Sequence, residues 1–209
     1  MGLLYQNNQT SDWFYNENTL QSDDGGAAWE RVKSRLEMLM RANAPFDVVG
    51  DQAHMGVPLV PMTQVLANWD RVHRFTGRRL EVTEFDISVL DDALHADYFH
   101  DFLTAAFSHP AMQSFIQWGF WQGNHWKAAE GGAIFRRDWS PRPSVKVYED
   151  LVLNRWWSRE RGMTDRNGAA QFRLFYGNHR VTVSRPGHFD AVSEIALAPG
   201  AKSRFVVTV

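Results

Sequence analysis

Along the chain the apolar positions change period several times, and each change marks an element. Four short runs, rich in β-branched and aromatic residues and ending in polar ones, predict strands: Asp12 to Asn16, Phe46 to Gln52, Arg79 to Asp86 and Ser114 to Trp121. A helical repeat follows each of them. Trp29, Val32, Leu36, Leu39 and Met40 recur three or four residues apart and predict one apolar helix stripe, and Val65, Trp69 and Val72 predict a second. Leu94, Tyr98, Phe102 and Ala106 predict a third, which Pro110 stops. Val147, Tyr148, Leu151 and Val152 mark a fourth. Strand followed by helix, four times over, is the pattern of an α/β fold, and four such units make half of a TIM (β/α)8 barrel.

After Trp156 and Trp157 the pattern shortens. TDRNG and YGN read as turns, with alternating segments QFRLFY and HRVTVSR beside them. Two further strands are expected at Ala191 to Leu197 and Ser203 to Val209, separated by Pro199 and Gly200. The chain therefore divides into a half-barrel, residues 1–162, and a small antiparallel β appendage, residues 163–209, beginning at Met163.

Composition narrows the classes. With 209 residues, 44% apolar and 22% charged, the chain can bury a sizeable core and lacks the signature of disorder. Its net charge of -2, with acidic and basic residues interspersed, offers no field for nucleic acid or an anionic membrane surface. No apolar run approaches the roughly 20 residues of a membrane span, and MGLLYQNNQT lacks the basic start and apolar stretch of a signal peptide. The absence of cysteine excludes disulfides, thiolate zinc sites and cysteine nucleophiles. His95 and His100, five residues apart, fit no recognised ligand spacing, so neither a metal nor another cofactor is expected. Nine Trp, 5 Tyr and 14 Phe leave two readings open, an ordinary core or indole faces for stacking on sugar rings.

The chemistry concentrates in Leu80-Glu81-Val82-Thr83-Glu84-Phe85-Asp86-Ile87. Strict alternation places Leu80, Val82, Glu84 and Asp86 on one strand face, so carboxylates follow two apolar side chains at the strand's C-terminal end. Parallel barrels build their active sites at that end, which makes Glu84 a candidate nucleophile.

Several segments together resemble glycoside hydrolase family 10, the endo-1,4-β-xylanase family. Val82-Thr83-Glu84-Phe85-Asp86-Ile87 resembles the seventh-strand motif that carries the family's nucleophile, and Gln52-Ala53-His54 is similar to the sixth-strand Gln-x-His, whose histidine orients it. Trp118-Gly119-Phe120-Trp121-Gln122-Gly123-Asn124-His125-Trp126 resembles the eighth-strand segment bordering the sugar subsites, and Asp138-Trp139-Ser140-Pro141-Arg142-Pro143 resembles the approach to the last helix. Glu17, His54, Glu84 and Trp118 follow one another at intervals of 37, 30 and 34 residues, one βα unit each. On that register Asn16-Glu17 lies on the fifth strand, not on the fourth, where the family's acid/base glutamate also follows an asparagine.

The resemblance implies a retaining glycosidase acting on xylan or a related β-1,4-linked polysaccharide or oligosaccharide. Glu84 would be the nucleophile, His54 its orienting partner and Glu17 at most a substitute acid. Asn16, Gln52, Trp118, Trp121, His125 and Trp126 are the implied substrate-binding residues. An extracellular setting follows from the resemblance alone. Strands one to four and the acid/base glutamate fall outside the match, so a weak or silent carbohydrate-binding fragment is the competing expectation. Open strand edges further predict a homodimer that completes the barrel, with the β appendage covering the edge as the alternative.

Overall fold

The computed structural model describes residues 13–22, 26–201 and 203–208. Asp12, the first residue of the first expected strand, lies outside them. The chain divides into two compact units, with the boundary between Tyr148 and Glu149.

The first unit is built from parallel βα repeats. Strand β1 (Phe14–Glu17) leads to helix α1 (Ala27–Arg41), and β2 (Val48–Asp51) with β3 (His54–Gly56) to α2 (Met62–Thr76). Then β4 (Arg79–Ser88) leads to α3 (Asp92–Ser108), and β5 (Met112–Gln117) to α4 (Pro143–Asp150). All pairings in this sheet are parallel: β1 with β2, β2 and β3 with β4, and β4 with β5. Among the described residues the sheet does not close on itself. No described helix is long and apolar enough to cross a membrane.

The helices follow the apolar stripes, with local exceptions. Val65, Trp69 and Val72 of α2 are all buried. In α1 the burial runs through Ala28, Val32 and Leu36, leaving Met40 39% exposed. In α3, Tyr98, Phe102 and Ala106 are buried, but Leu94 in the first turn is exposed and the buried face extends to His95, Phe99 and Leu103. The Asp91 carboxylate starts this helix by accepting from the backbone N–H of Ala93 and Leu94, which relieves two of the donors a helix start leaves unpaired. Phe85 of β4 stacks on Phe102 at 4.4 Å and meets Phe99 at 5.6 Å, while Trp69 packs edge-on against Phe102 at 5.3 Å. These rings lock α2 and α3 onto the sheet.

Two departures from regular strands shape the unit's chemistry. The expected run Phe46 to Gln52 holds β2 alone, and after a break at Gln52 and Ala53 the chain resumes pairing with β4 as β3. Ala53 takes φ +57°, a left-handed conformation uncommon for a residue with a Cβ. Opposite the break, β4 carries a bulge, since Val82 pairs with Phe115 and Phe85 with Gln117. A bulge inserts one residue and resets the alternation. Strict alternation is corrected accordingly: Val82 and Phe85 share one side, whereas Thr83 and Glu84 both come within reach of Asn16. The strand expected to reach Trp121 ends at Gln117, and Gly119 at φ +55° turns the chain.

The second unit opens with a π-helical turn, Leu151–Arg155. It holds an antiparallel pair, β6 (Gly177–Val183) and β7 (Ala191–Leu197), in register from Gly177 opposite Leu197 to Val183 opposite Ala191. The QFRLFY segment and residues 203–208, both expected as strands, have no regular secondary structure.

Candidate active site

In the C-terminal half of β4, two polar side chains, Asn16 of β1 and His54 at the start of β3, converge on Glu84. Asn16 Nδ2 donates to Glu84 Oε1 at 3.0 Å, and His54 Nε2 stands 3.4 Å from Glu84 Oε2. Asn16 is aimed by Thr83, whose hydroxyl lies 2.8 Å from Asn16 Oδ1 and 3.3 Å from the Asp51 carbonyl oxygen. Gly50 makes this meeting possible: a Cβ there would stand 2.6 Å from Asn16 Oδ1 and 2.9 Å from Thr83 Cγ2.

On the far side of His54 lies Asp86, which is 1% exposed. Its Oδ1 is 3.1 Å from His54 Nδ1, in an oblique ion-pair contact. Its Oδ2 accepts the indole N–H of Trp126 at 2.6 Å. Burial pushes the His54 imidazole down, but the charges and hydrogen bonding of Asp86 and Glu84 outweigh it and hold the ring above the ordinary histidine value. The result is a chain of contacts, Asp86 to His54 to Glu84, that runs from a buried carboxylate through a half-buried ring to a half-buried carboxylate, whose side chain is 22% exposed.

Aromatic side chains border this group. Trp126 stands edge-on to His54 at 4.9 Å and Trp118 at 6.4 Å, and both indoles are exposed. The Lys127 ammonium sits 4.9 Å above the Trp126 ring and 3.0 Å from each carboxylate oxygen of Glu130. His54, Asp86, Trp126, Lys127 and Glu130 line one cleft of about 650 Å³. Buried Arg142 ties its walls together, bonding Asp92 at 2.7 Å, the Val89 carbonyl at 2.8 Å and the Gly131 carbonyl.

The other sequence-selected residues are placed differently. Glu17 is 3% exposed and points to the helix side of the strand, opposite the face from which Asn16 reaches Glu84. It accepts from the Tyr15 hydroxyl at 2.6 Å, the Thr19 hydroxyl at 2.8 Å, two backbone N–H groups and Arg35 of α1 at 2.8 Å. Burial raises its pKa, but those hydrogen bonds and the Arg35 charge prevail and leave it below the ordinary glutamate value. Gln52 lies half-buried in the break between β2 and β3. His125 is buried, held so closely between Gly119 and Gly132 that a Cβ on either would strike its ring. Its Nδ1 accepts the Lys127 backbone N–H at 2.9 Å, and its Nε2 lies 3.5 Å from Asp86. Burial lowers its pKa. Trp121 stacks on Trp139 at 5.1 Å and donates to the Arg137 carbonyl.

Sequence reasoning missed the roles of Asp86, Thr83 and Asp51. For Asp86 the signal was present, a second carboxylate two residues after Glu84. Among the described residues no group of three His, Asp or Glu side chains is placed to hold a metal ion.

The chain is similar to several known proteins. In curated sequences, Endo-1,4-beta-xylanase 1 of Arabidopsis thaliana is 29% identical over 160 residues, 74% of this chain and 16% of its own length. The Anti-sigma-I factor RsgI6 of Acetivibrio thermocellus is 36% identical over 106 residues, 51% of this chain and 14% of its own. Among solved structures, xylanase 10B from Thermotoga petrophila in complex with xylobiose superimposes with a TM-score of 0.57 at 19% identity, over 66% of this chain and 45% of that one. A thermostable mutant of xylanase Xyn10A from Cellvibrio japonicus gives 0.59 at 16% identity, over 68% and 50%. The chain thus spans at most half of these relatives. The sequence profile of Glycosyl hydrolase family 10 matches residues 6–151, and the chain belongs to that family.

Proposed function

We propose that this chain carries the nucleophile half of a retaining glycoside hydrolase acting on xylan or a related β-1,4-linked glycan, with Glu84 as nucleophile. The observation that carries the reading is the dual hold on the Glu84 carboxylate, Asn16 on one oxygen and His54 on the other, in the C-terminal half of β4 with exposed indoles beside His54. A nucleophile must be held in line yet remain reachable, and Glu84 meets both conditions. His54, backed by Asp86, keeps it oriented, while Trp118 and Trp126 offer faces for sugar rings.

Retention requires a second carboxyl group about 5 to 5.5 Å from the first, to protonate the leaving oxygen and then activate water. Glu17 is committed to Arg35 and Tyr15, and Asp86 to Trp126 and His54. On the register of strands five to eight, the acid/base residue belongs to strand four. The commitment of Glu17 and Asp86 to other partners favours a second reading, carbohydrate binding with weak turnover, because general acid assistance typically contributes about 10² to 10⁴ in rate. A second copy of the chain would close the barrel, β5 of each pairing with β1 of the other, since among the described strands β1 pairs only with β2 and β5 only with β4. Light scattering on the eluting protein tests closure: a 24.0 kDa particle overturns it.

The decisive test of the nucleophile needs no proton from an acid/base residue. A 2,4-dinitrophenyl 2-deoxy-2-fluoro-β-xylobioside has a leaving group that departs without a proton, and its fluorine slows breakdown of the glycosyl-enzyme. Intact mass and peptide mapping are expected to find one disaccharide on Glu84. Absence of label, or label on another residue, overturns the assignment, and xylo-oligosaccharide binding without label would favour the second reading.

A further inference from the structure

Behind His54 lies a carboxylate that the nucleophile assignment does not use. Asp51, the last residue of β2, is 2% exposed. Its Oδ2 accepts the indole N–H of Trp69 at 2.8 Å and the Gln21 side-chain amide at 2.5 Å, and its Oδ1 accepts the Ala53 backbone N–H at 3.0 Å. Burying a carboxylate is costly, and a well-packed apolar residue in its place is often neutral or stabilising. Packing alone therefore does not account for it.

What the carboxylate does locally is specific. Three donors from β2's own turn, the β1–α1 loop and α2 meet at one point, and only a group with two acceptor oxygens and no donor satisfies all of them. The bond to Ala53 closes the turn in which the backbone takes φ +57° and β2 becomes β3. The next residue is His54. The Asp51 carbonyl oxygen in turn receives the Thr83 hydroxyl, which also lies against Asn16 Oδ1. Asp51 thus stands one step from each of the two side chains that hold Glu84.

Resting on the assignment of Glu84 as nucleophile, we infer that Asp51 is a positioning residue: its buried carboxylate fixes the Gln52-Ala53 turn and thereby sets where His54 meets Glu84. It touches no substrate atom. A misplacement of about 1 Å at a reacting group costs on the order of 10² in rate, so the structure ties the rate of glycosylation to a residue outside the cleft.

The test separates positioning from stability. Asp51→Leu fills the same space, removes the buried carboxyl group and abolishes the bond to Ala53; Asp51→Asn keeps the shape but sets its NH2 group against donors on one side, either Ala53 or Trp69 and Gln21. Three quantities are measured on the full chain: thermal unfolding, the rate constants for labelling by the fluoroxylobioside, and the His54 ring nitrogens by ¹H–¹⁵N NMR. The expected result is a folded Asp51→Leu protein with the maximal labelling rate down about 10- to 100-fold, inhibitor affinity nearly unchanged, and shifted His54 resonances. A folded Asp51→Leu protein that labels at the wild-type rate overturns the inference, and so does a slower one with unaltered His54 resonances. If Asp51→Leu does not fold, Asp51→Asn is judged by the same criteria. If the wild type takes no label, the nucleophile assignment fails, while the His54 resonances still decide whether Asp51 positions the ring.

Discussion

Two glutamates on parallel strands of one sheet, Glu17 of β1 and Glu84 of β4, have opposite surroundings. Glu84 lies in the bulge of β4 with one partner on each oxygen and with solvent access, whereas Glu17 ends β1 under a full set of donors and is 3% exposed. Each follows a polar residue, Thr83 in one case and Asn16 in the other. The separating factor is parity. On β1, regular alternation puts Asn16 on the face where Glu84 lies and sends Glu17 to α1, where Arg35 neutralises it. On β4, a one-residue bulge brings both Thr83 and Glu84 to Asn16. A strand-end carboxylate becomes available for chemistry when its lone pairs are only partly occupied.

The sharpest way to break this contrast is Glu84→Gln. The carboxamide occupies the same space but is a far poorer nucleophile, so label incorporation is expected to fall by at least about 10³-fold with the unfolding temperature nearly unchanged. Intact mass against time measures it, and a Glu84→Gln protein that still labels would place the nucleophile elsewhere. His54→Ala is expected to act less strongly, slowing labelling by about 10- to 100-fold, because it removes an orienting partner and leaves the carboxylate and Asn16 in place. Identical rates in His54→Ala and wild type would leave Asn16 as the sole effective hold.

Much of this was legible in the sequence, and the failures have identifiable causes. The βα order followed from apolar period, since Val65, Trp69 and Val72 recur every three or four residues and all become buried. Motif order pointed to Glu84 and His54. Alternation alone misassigned the faces of β4, because a bulge leaves no periodic trace in one strand and depends on its pairing with β5. The break after β2 was also hidden: Ala53 carries no glycine signal for its positive φ, and the device that holds it there, Asp51 with Trp69 and Gln21, joins residues 18 and 30 positions apart. QFRLFY alternates like a strand yet forms none, because pairing rather than period makes a strand.

Glu17→Gln tests the other half of the contrast. It is expected to leave labelling at the wild-type rate and to lower stability by about 1 to 3 kcal/mol, the range for hydrogen bonds to charged groups. Denaturant unfolding checks the second outcome, and a loss of labelling without a loss of stability would assign Glu17 to chemistry after all. The smallest effect, and the most specific, is in the pH dependence. Because the folded-state pKa of Glu17 lies below its ordinary value, its stabilising contribution is present above the unfolded value of about 4.3 and is lost as pH falls through the folded value. Other groups also weaken the fold on acidification: Asp92, Asp138 and Asp165 are held low by their hydrogen bonds, and burial pushes His95 down to about 4. Wild type and Glu17→Gln share all of these, so they cancel in the difference between the two curves. That difference is expected to be constant at neutral pH and to shrink below about pH 4.3, as protonation removes from the wild type the charge that the variant already lacks. Urea titrations at intervals between neutrality and the acid limit measure it. A difference that stays constant through the acid range would mean that the Arg35 pair contributes nothing through its charge, and that Glu17 is held only as a hydrogen-bond acceptor for Tyr15 and Thr19.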